Sequence, residues 1–490
     1  MMSESMIKKV FLRFCLLSLL IIVVKTSPLK KSKKINILES CPNPIKGQIV
    51  YPDNSKYTQD ITCENTRVTT FHPAAIVYAS NVEDVQNTVK CAKSSNLTIT
   101  ARSGGHSYEE YSISGDIVLD VTNLNQIDIN DNAKTAVIGS GNRLGPIYYN
   151  LSQAGFFIPA GSCPSVGIGG HALGGGIGLY ARKFGTASDN ILSIDIVNAN
   201  GILITANANQ NEELFYALRG GGNNNYGIVT SFTFKLHPTP PKVTSIHFVY
   251  DFSKIQTVFD AINKLGLTLT DDMTFSLVMA PSSDTHLELE GVYQGTKKNA
   301  QKDLENFISL SKPTSTEFFE ESLFSSVVRW GFESVNDTMN PSHHPSKFKA
   351  KSFLIKPPGL SPKGIQSIKD FTLNTPKDCP TYAIFDLFGG AINKVAADET
   401  AFVHRNILYG IQLYMNLNGD STTNKKCIDQ INNFGTNYQK SFNISSSYQN
   451  YIDKELDNWQ TRYYGSNFQK LVSIKRKFDP DNFFHFPQSI

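Results

Sequence analysis

Apolar positions recur along the chain with two periods. Alternating or short continuous apolar runs predict strands at Ala74–Ala79, Leu97–Ala101, Asp116–Val121 and Thr135–Gly139. Asn81–Ser95 instead carries Val82, Val85, Val89 and Ala92 on one helical face, with Asn81 placed to accept from the first free backbone amides. A second helix is predicted at Asn142–Gln153, closed by Gly155. Ile191–Asn198 and Gly201–Ala206 predict a strand pair across an Asn-Gly turn. Glu212–Arg219 follows as a helix and Ile228–Leu236 as an alternating strand. This order is mixed α+β rather than a strict βαβα repeat.

His237-Pro-Thr-Pro-Pro241 interrupts the pattern and is the expected domain boundary. Beyond it, strands are predicted at Val243–Tyr250, Met273–Met279, Leu287–Tyr293, Tyr382–Phe388 and Ile411–Leu417. Helices are predicted at Ser253–Leu265, Lys298–Ser311, Lys363–Phe371 and Asn424–Phe434, the first closed by a glycine cap at Gly266. Together they predict a sheet covered by helices on one face. Residues 311–350, rich in Ser, Asn and Pro, are expected to be irregular.

Charge changes the picture in one respect. Lys+Arg 46 against Asp+Glu 43 leaves +3, and Lys8, Lys9, Arg13 and Lys25 against Glu4 supply that surplus. The body is near neutral, which argues against nucleic acid as a partner. Residues 1–26 have the layout of a secretory signal, with Lys8 and Lys9 before an apolar run from Phe14 to Val24. The run is too short to span a bilayer, and no stable membrane insertion is expected after cleavage. An uncleaved anchor is the alternative, kept open by Lys30, Lys31, Lys33 and Lys34. Secretion would make Asn96, Asn150, Asn336 and Asn443 glycosylation acceptors. Six cysteines follow the signal, without the close pairs of a zinc site, and some should pair in an oxidising compartment.

Candidate chemistry centres on Gly161-Ser-Cys-Pro-Ser-Val-Gly167 and the glycine-crowded stretch that runs on to Gly178. So many glycines suit a backbone that must approach a bulky ligand, and exposed loop amides cradle anions. Cys163 sits at the mouth of this loop, where its amides are expected to lower the thiol's pKa. An earlier glycine turn, Arg102-Ser-Gly-Gly-His-Ser-Tyr-Glu109, offers His106. A thiol and an imidazole on two such loops can hold one cofactor from two sides. No G-x-G-x-x-G or Walker motif is present, which removes Rossmann and P-loop readings of the glycines.

These segments resemble the berberine bridge enzyme-like family of FAD-linked oxidases within the vanillyl-alcohol oxidase superfamily. Arg102-Ser-Gly-Gly-His-Ser-Tyr108 is similar to the loop whose histidine bonds the flavin 8α carbon, and Gly161-Ser-Cys-Pro-Ser-Val-Gly167 resembles the loop whose cysteine bonds flavin C6. Further agreements are Arg182-Lys-Phe-Gly185 with Ser188-Asp-Asn190, Leu218-Arg-Gly-Gly-Gly222, Tyr448-Gln-Asn-Tyr-Ile-Asp453 and Asp479-Pro-Asp-Asn482. The likeness runs from about Cys41 to the last residue. It implies a two-domain PCMH-type FAD-binding fold, with a central substrate domain built on an antiparallel sheet covered by helices. The expected divisions are signal 1–26, N-terminal segment 27–66, FAD-binding domain 67–237, substrate domain 238–447 and a completing C-terminal segment 448–490. A Cys41–Cys91 disulfide is also implied.

The resemblance further implies FAD bonded to both His106 and Cys163. Cofactor contacts are expected from Arg102, Ser103, Gly104, Gly105 and Ser107 on the first loop. Val166, Gly167, Gly170, His171 and Gly174 are expected to serve on the second, His171 mainly as structural support, with Gly227, Val229 and Asn482 beyond them. Tyr451 is the candidate base and Asp386 the assisting carboxylate. Tyr448 and Tyr108 complete the catalytic set, the first lining the pocket and the second packing beside the flavin. Val166 occupies the position that gates oxygen in the family, and valine there implies an oxygen-reactive oxidase. His343-His344 is not expected to hold a metal, and none is expected elsewhere.

The expected activity is a secreted oxidase that removes hydride from a C–OH group, favouring the anomeric carbon of a mono- or oligosaccharide, and passes electrons to O2. An oxidase of aromatic alcohols or alkaloid-like amines is the alternative. A flavin-carrying binding protein without turnover is a further one.

Overall fold

The protein is described here by a computed structural model covering residues 37–68, 70–280, 286–331 and 333–490, so the expected signal lies outside the described residues. Among the described residues no helix is long and apolar enough to cross a membrane. Two sheets form the first half. In the four-stranded one the order is Gln48–Val50, Ala75–Tyr78, Ile117–Asp120 and Ile99–Arg102, the last three parallel. The helix Val82–Ser94 packs on it through Val85, Val89 and Ala92, against Val77 and Leu119. Asn81 caps this helix, accepting from Asp84 N at 3.0 Å. A Cys41–Cys91 disulfide ties the entering chain to the same helix.

The five-stranded sheet is antiparallel, ordered Ile127–Asn130, Thr135–Gly139, Ile228–Lys235, Ile191–Val197 and Leu203–Asn207. Ile147, Tyr148 and Leu151 of the helix Leu144–Gln153 pack on its Ile138, Phe232 and Phe234. The last two strands are joined by Asn198–Ile202, longer than the two-residue turn expected. Val197 pairs with Leu203, and the Asn198 side chain accepts from Asn200 N and Ile202 N to close the loop.

The second half is a seven-stranded antiparallel sheet. Its order is Ser315–Glu321, Val243–Asp251, His286–Tyr293, Met273–Met279, Thr381–Leu387, Tyr409–Asn416 and Phe348–Ile355. One face carries Leu277, Leu289, Phe385 and Leu413 against Phe259, Ile368 and Ile431 of three helices, Ile255–Leu265, Pro362–Leu373 and Ser421–Ser441. Strand alternation sends Ser276, Asp386 and Gln412 to the other face, where a cavity opens. A Cys379–Cys427 disulfide joins the helix Ser421–Ser441 to the chain just before the strand Thr381–Leu387.

Three further expectations differ from the structure. Within 311–350 the structure has regular elements, the strand Ser315–Glu321 and the helices Leu323–Gly331 and Val335–Met339. The strand is an edge strand whose large apolar residues are only Phe318 and Phe319, so its alternation is faint. Phe348–Ile355 is buried along its whole length, yet Lys349 and Lys351 break its apolar run. Second, Gly266 does not adopt a left-handed cap; at φ −52 it continues the helix, and a Cβ there would lie 2.9 Å from Leu408 Cδ1. Third, Lys298–Ser311 is two helices, Lys297–Asp303 and Glu305–Ser311, meeting at Leu304.

The C-terminal segment returns to the first half. Buried Lys475 bonds Asp479, the Phe484 carbonyl and the Asn225 carbonyl, which docks the Asp479-Pro-Asp-Asn482 turn on the loop before Ile228–Lys235. Asp479 also accepts from the Phe483 and Phe484 amides.

Candidate active site

One cavity lies between the glycine loops, the open sheet face and the C-terminal segment. The two loops cross at Gly104 and Gly167. A Cβ on Gly104 would stand 2.2 Å from Gly167 N, so only glycine allows this approach. Ser103, Gly104, Gly105, Ser107, Val166, Gly167, Gly170, His171, Gly227 and Val229 line the cavity, with His106, Cys163, Tyr108, Asp386, Tyr448 and Tyr451. Three expected contacts do not line it. Arg102 is buried behind its loop, paired with Asp120 and donating to the Asp60 carbonyl. Gly174 instead makes room for the C-terminal segment, since a Cβ there would meet Asn450 Oδ1 at 1.9 Å. Asn482 is exposed, in the left-handed conformation of a turn.

His106 and Cys163 converge on one hydroxyl. Ser165 Oγ lies 3.0 Å from His106 Nε2 and 3.4 Å from Cys163 Sγ. Burial holds His106 down to about 4, so its ring is neutral at ordinary pH. Burial also pushes the Cys163 thiol up to about 11, against the expectation that loop amides would lower it. Desolvation penalises the thiolate more than the Ser165 contacts favour it. Glu64 Oε2 stands 3.9 Å from His106 Nε2 and 3.3 Å from His343 Nδ1. His343 stacks on His106 and contacts Arg143 through its other nitrogen. His171 Nε2 accepts from Gly161 N at 2.9 Å, and its ring is likewise held neutral by burial.

The tyrosines form an aromatic wall. Tyr451 stacks on Tyr108 at 5.4 Å and meets Tyr448 edge-on at 5.1 Å. Tyr108 Oη accepts from Gln412 Nε2 at 2.6 Å. Tyr448 Oη accepts from the Gly176 and Ile177 amides and from Asn450 Nδ2, locking the glycine loop to the C-terminal segment. Burial, and then the charge of Asp386, raise Tyr451 well above a free phenol. Asp386 is itself raised by burial, while Ser276 donates to it. Sequence reasoning missed Ser165, Glu64, Ser276, Gln412 and Asn450. Gln412 was legible from alternation about Ile411; Glu64 carries no local signal.

The lining suits a large flat cofactor bearing phosphates. Glycines on both loops leave backbone amides uncovered by side chains, and a Cβ at the crossing would fill the cradle. Residues 73–207 match the family described as FAD binding domain, and residues 447–490 match berberine and berberine like. Reticuline oxidase of Eschscholzia californica is 30% identical over 85% of this chain and 83% of its own. The solved structure of Physcomitrella patens BBE-like 1 is 38% identical, with TM-score 0.85, covering 93% of this chain and 98% of that one. A xylooligosaccharide oxidase from Myceliophthora thermophila C1, solved with xylobiose, is 26% identical with TM-score 0.82 over 93% and 99% of the two chains. The fold and the site define an FAD-linked oxidoreductase with the PCMH-type α+β architecture. The chain belongs to the berberine bridge enzyme-like family of FAD-linked oxidases.

Proposed function

We propose that the chain is a secreted oxidase that holds FAD through both His106 and Cys163 and oxidises the anomeric C–OH of a mono- or oligosaccharide to a lactone. FAD held there would supply a hydride acceptor at N5 and a route for the electrons to dioxygen, with hydrogen peroxide as the product. Tyr451 takes the hydroxyl proton of the substrate. The observation that carries this reading is Asp386 in one cavity with Tyr451, where it is the foremost charge acting on that phenol. An ionised carboxylate would oppose a phenolate unless it takes the phenol's own proton, and burial, by raising Asp386, makes it the better acceptor. Tyr451, its own proton passed on, can then take the substrate's. Ser276, Glu290 and Gln412 add hydrogen-bonding groups along the sheet face, which suits a substrate rich in hydroxyls. The solved relative with xylobiose bound adds to this support.

Exposure of all four acceptor asparagines, Asn96, Asn150, Asn336 and Asn443, supports secretion, as do the two disulfides. Oxygen uptake with matching peroxide release on xylo-, cello- and chito-oligosaccharides is the expected result. Turnover confined to aromatic alcohols or amines would replace the proposed substrate class.

A further inference from the structure

The cavity contains a cluster that substrate turnover does not use. Ser165 Oγ bridges Cys163 Sγ at 3.4 Å and His106 Nε2 at 3.0 Å, and Glu64 Oε2 stands 3.9 Å from that nitrogen. We propose that Ser165 relays the proton of Cys163 to His106, with Glu64 facing the charge that develops there, and that this relay lets the thiol bond the cofactor. The inference rests on the reading above that FAD is tethered by both residues.

The thiolate, not the thiol, is the nucleophile. With Cys163 pushed up to about 11, roughly one molecule in ten thousand carries a thiolate at neutral pH, so the proton must be taken locally. A serine hydroxyl donates and accepts at once, which fits Ser165 to pass a proton between its two neighbours. His106 is neutral, so Nε2 can accept in the tautomer that carries the ring proton on Nδ1. With Nε2 turned to Ser165, Nδ1 is the nitrogen left for the cofactor. A ring bonded at Nδ1 keeps its basic lone pair on Nε2, so the relay survives formation of the first tether.

The thiol holds its proton tightly and the imidazole binds one weakly. A separated thiolate and imidazolium is therefore unfavourable, and the proton passes as the sulfur–carbon bond forms. His343 and Arg143 both disfavour positive charge on His106, and Glu64 offsets them. Burial works against the Glu64 carboxylate, but His106 and a hydrogen bond from His343 outweigh it, and the carboxyl stays below its usual range. In the net step a bond from Sγ to flavin C6 forms, and the S–H and C6–H bonds break. The electron pair left on the ring is taken by dioxygen, and both protons leave in hydrogen peroxide.

The test is the modification state of the Cys163 peptide, read by mass spectrometry after unfolding and alkylation. It compares the wild-type holoenzyme with Ser165→Ala, Ser165→Thr and Glu64→Gln. Wild type is expected to carry flavin on Cys163. Ser165→Ala should lose at least tenfold of that adduct while keeping yellow colour through His106 and an unchanged melting temperature, and Ser165→Thr should restore it. Glu64→Gln, which keeps the shape of the side chain, should slow adduct formation several-fold, and serves alone if Ser165→Ala does not fold. Full adduct in Ser165→Ala, or at the wild-type rate in Glu64→Gln, overturns the relay alone. Wild type without flavin on Cys163 overturns the double tether and the relay with it.

Discussion

Tyr451 and Asp386 share a cavity in which burial raises both groups above their free values. As the proposed base, Tyr451 needs a neighbour that takes or steadies its own proton. Tyr451→Phe is expected to lower turnover roughly a hundred- to ten-thousandfold. Flavin content should be unchanged, because Tyr451 makes no tether. Steady-state oxygen uptake and the visible spectrum check the two halves of that statement, and full activity would remove Tyr451 as the base. At this scale most of the residues that line the cavity around Tyr451 were readable from their motifs. Their ionisation was not. The glycine loop around Cys163 suggested a lowered pKa, yet burial sets the opposite direction.

The crossing of the two glycine loops is the element that shapes the cofactor cradle. Gly104→Ala would drive a methyl group against Gly167 N, a backbone atom that cannot rotate aside. Separating the loops should cost about 1–3 kcal/mol, as overpacking does elsewhere. A lower melting temperature and loss of flavin during gel filtration are the expected readings, and a variant that stays yellow and equally stable would count against the crossing. The glycines themselves were plain in the sequence, but which pair touched was not, because some sixty residues separate Gly104 from Gly167. The strand Ser315–Glu321 shows the same limit from the other side: an edge position needs only one pairing partner, and little apolar surface marks it.

At the scale of the whole molecule, the C-terminal segment is held by buried charge. Asp453 accepts from Lys349 and Lys351 of the seven-stranded sheet, and Glu109 beside the first glycine loop also pairs with Lys349. Burial works against the Asp453 carboxylate, but the two lysines outweigh it and hold its pKa down, to about 2. A depressed carboxylate contributes stability above its ordinary value near 3.8, and that contribution is lost as pH falls from about 4 toward 2. Asp453→Asn takes from buried Lys351 its carboxylate, while Lys349 keeps Glu109 and Glu455, and should cost about 3 kcal/mol. Its urea midpoint should fall near neutral pH, and the gap to wild type should narrow below pH 4. An equal gap at both pH values would mean that the charge is not what docks the segment.

Local pattern determined most of the elements, the two glycine loops and the residues able to do chemistry, because apolar period, turn formers and reactive groups are written in neighbouring positions. Tertiary structure alone decided that Ser165 joins His106 to Cys163, that Glu64 faces them, and that Arg102 stands behind the loop rather than in the cavity. Those outcomes depend on which distant segments meet and on how much water is left between them. Burial and through-space charge act across the fold, and neither is encoded by a residue's neighbours in sequence.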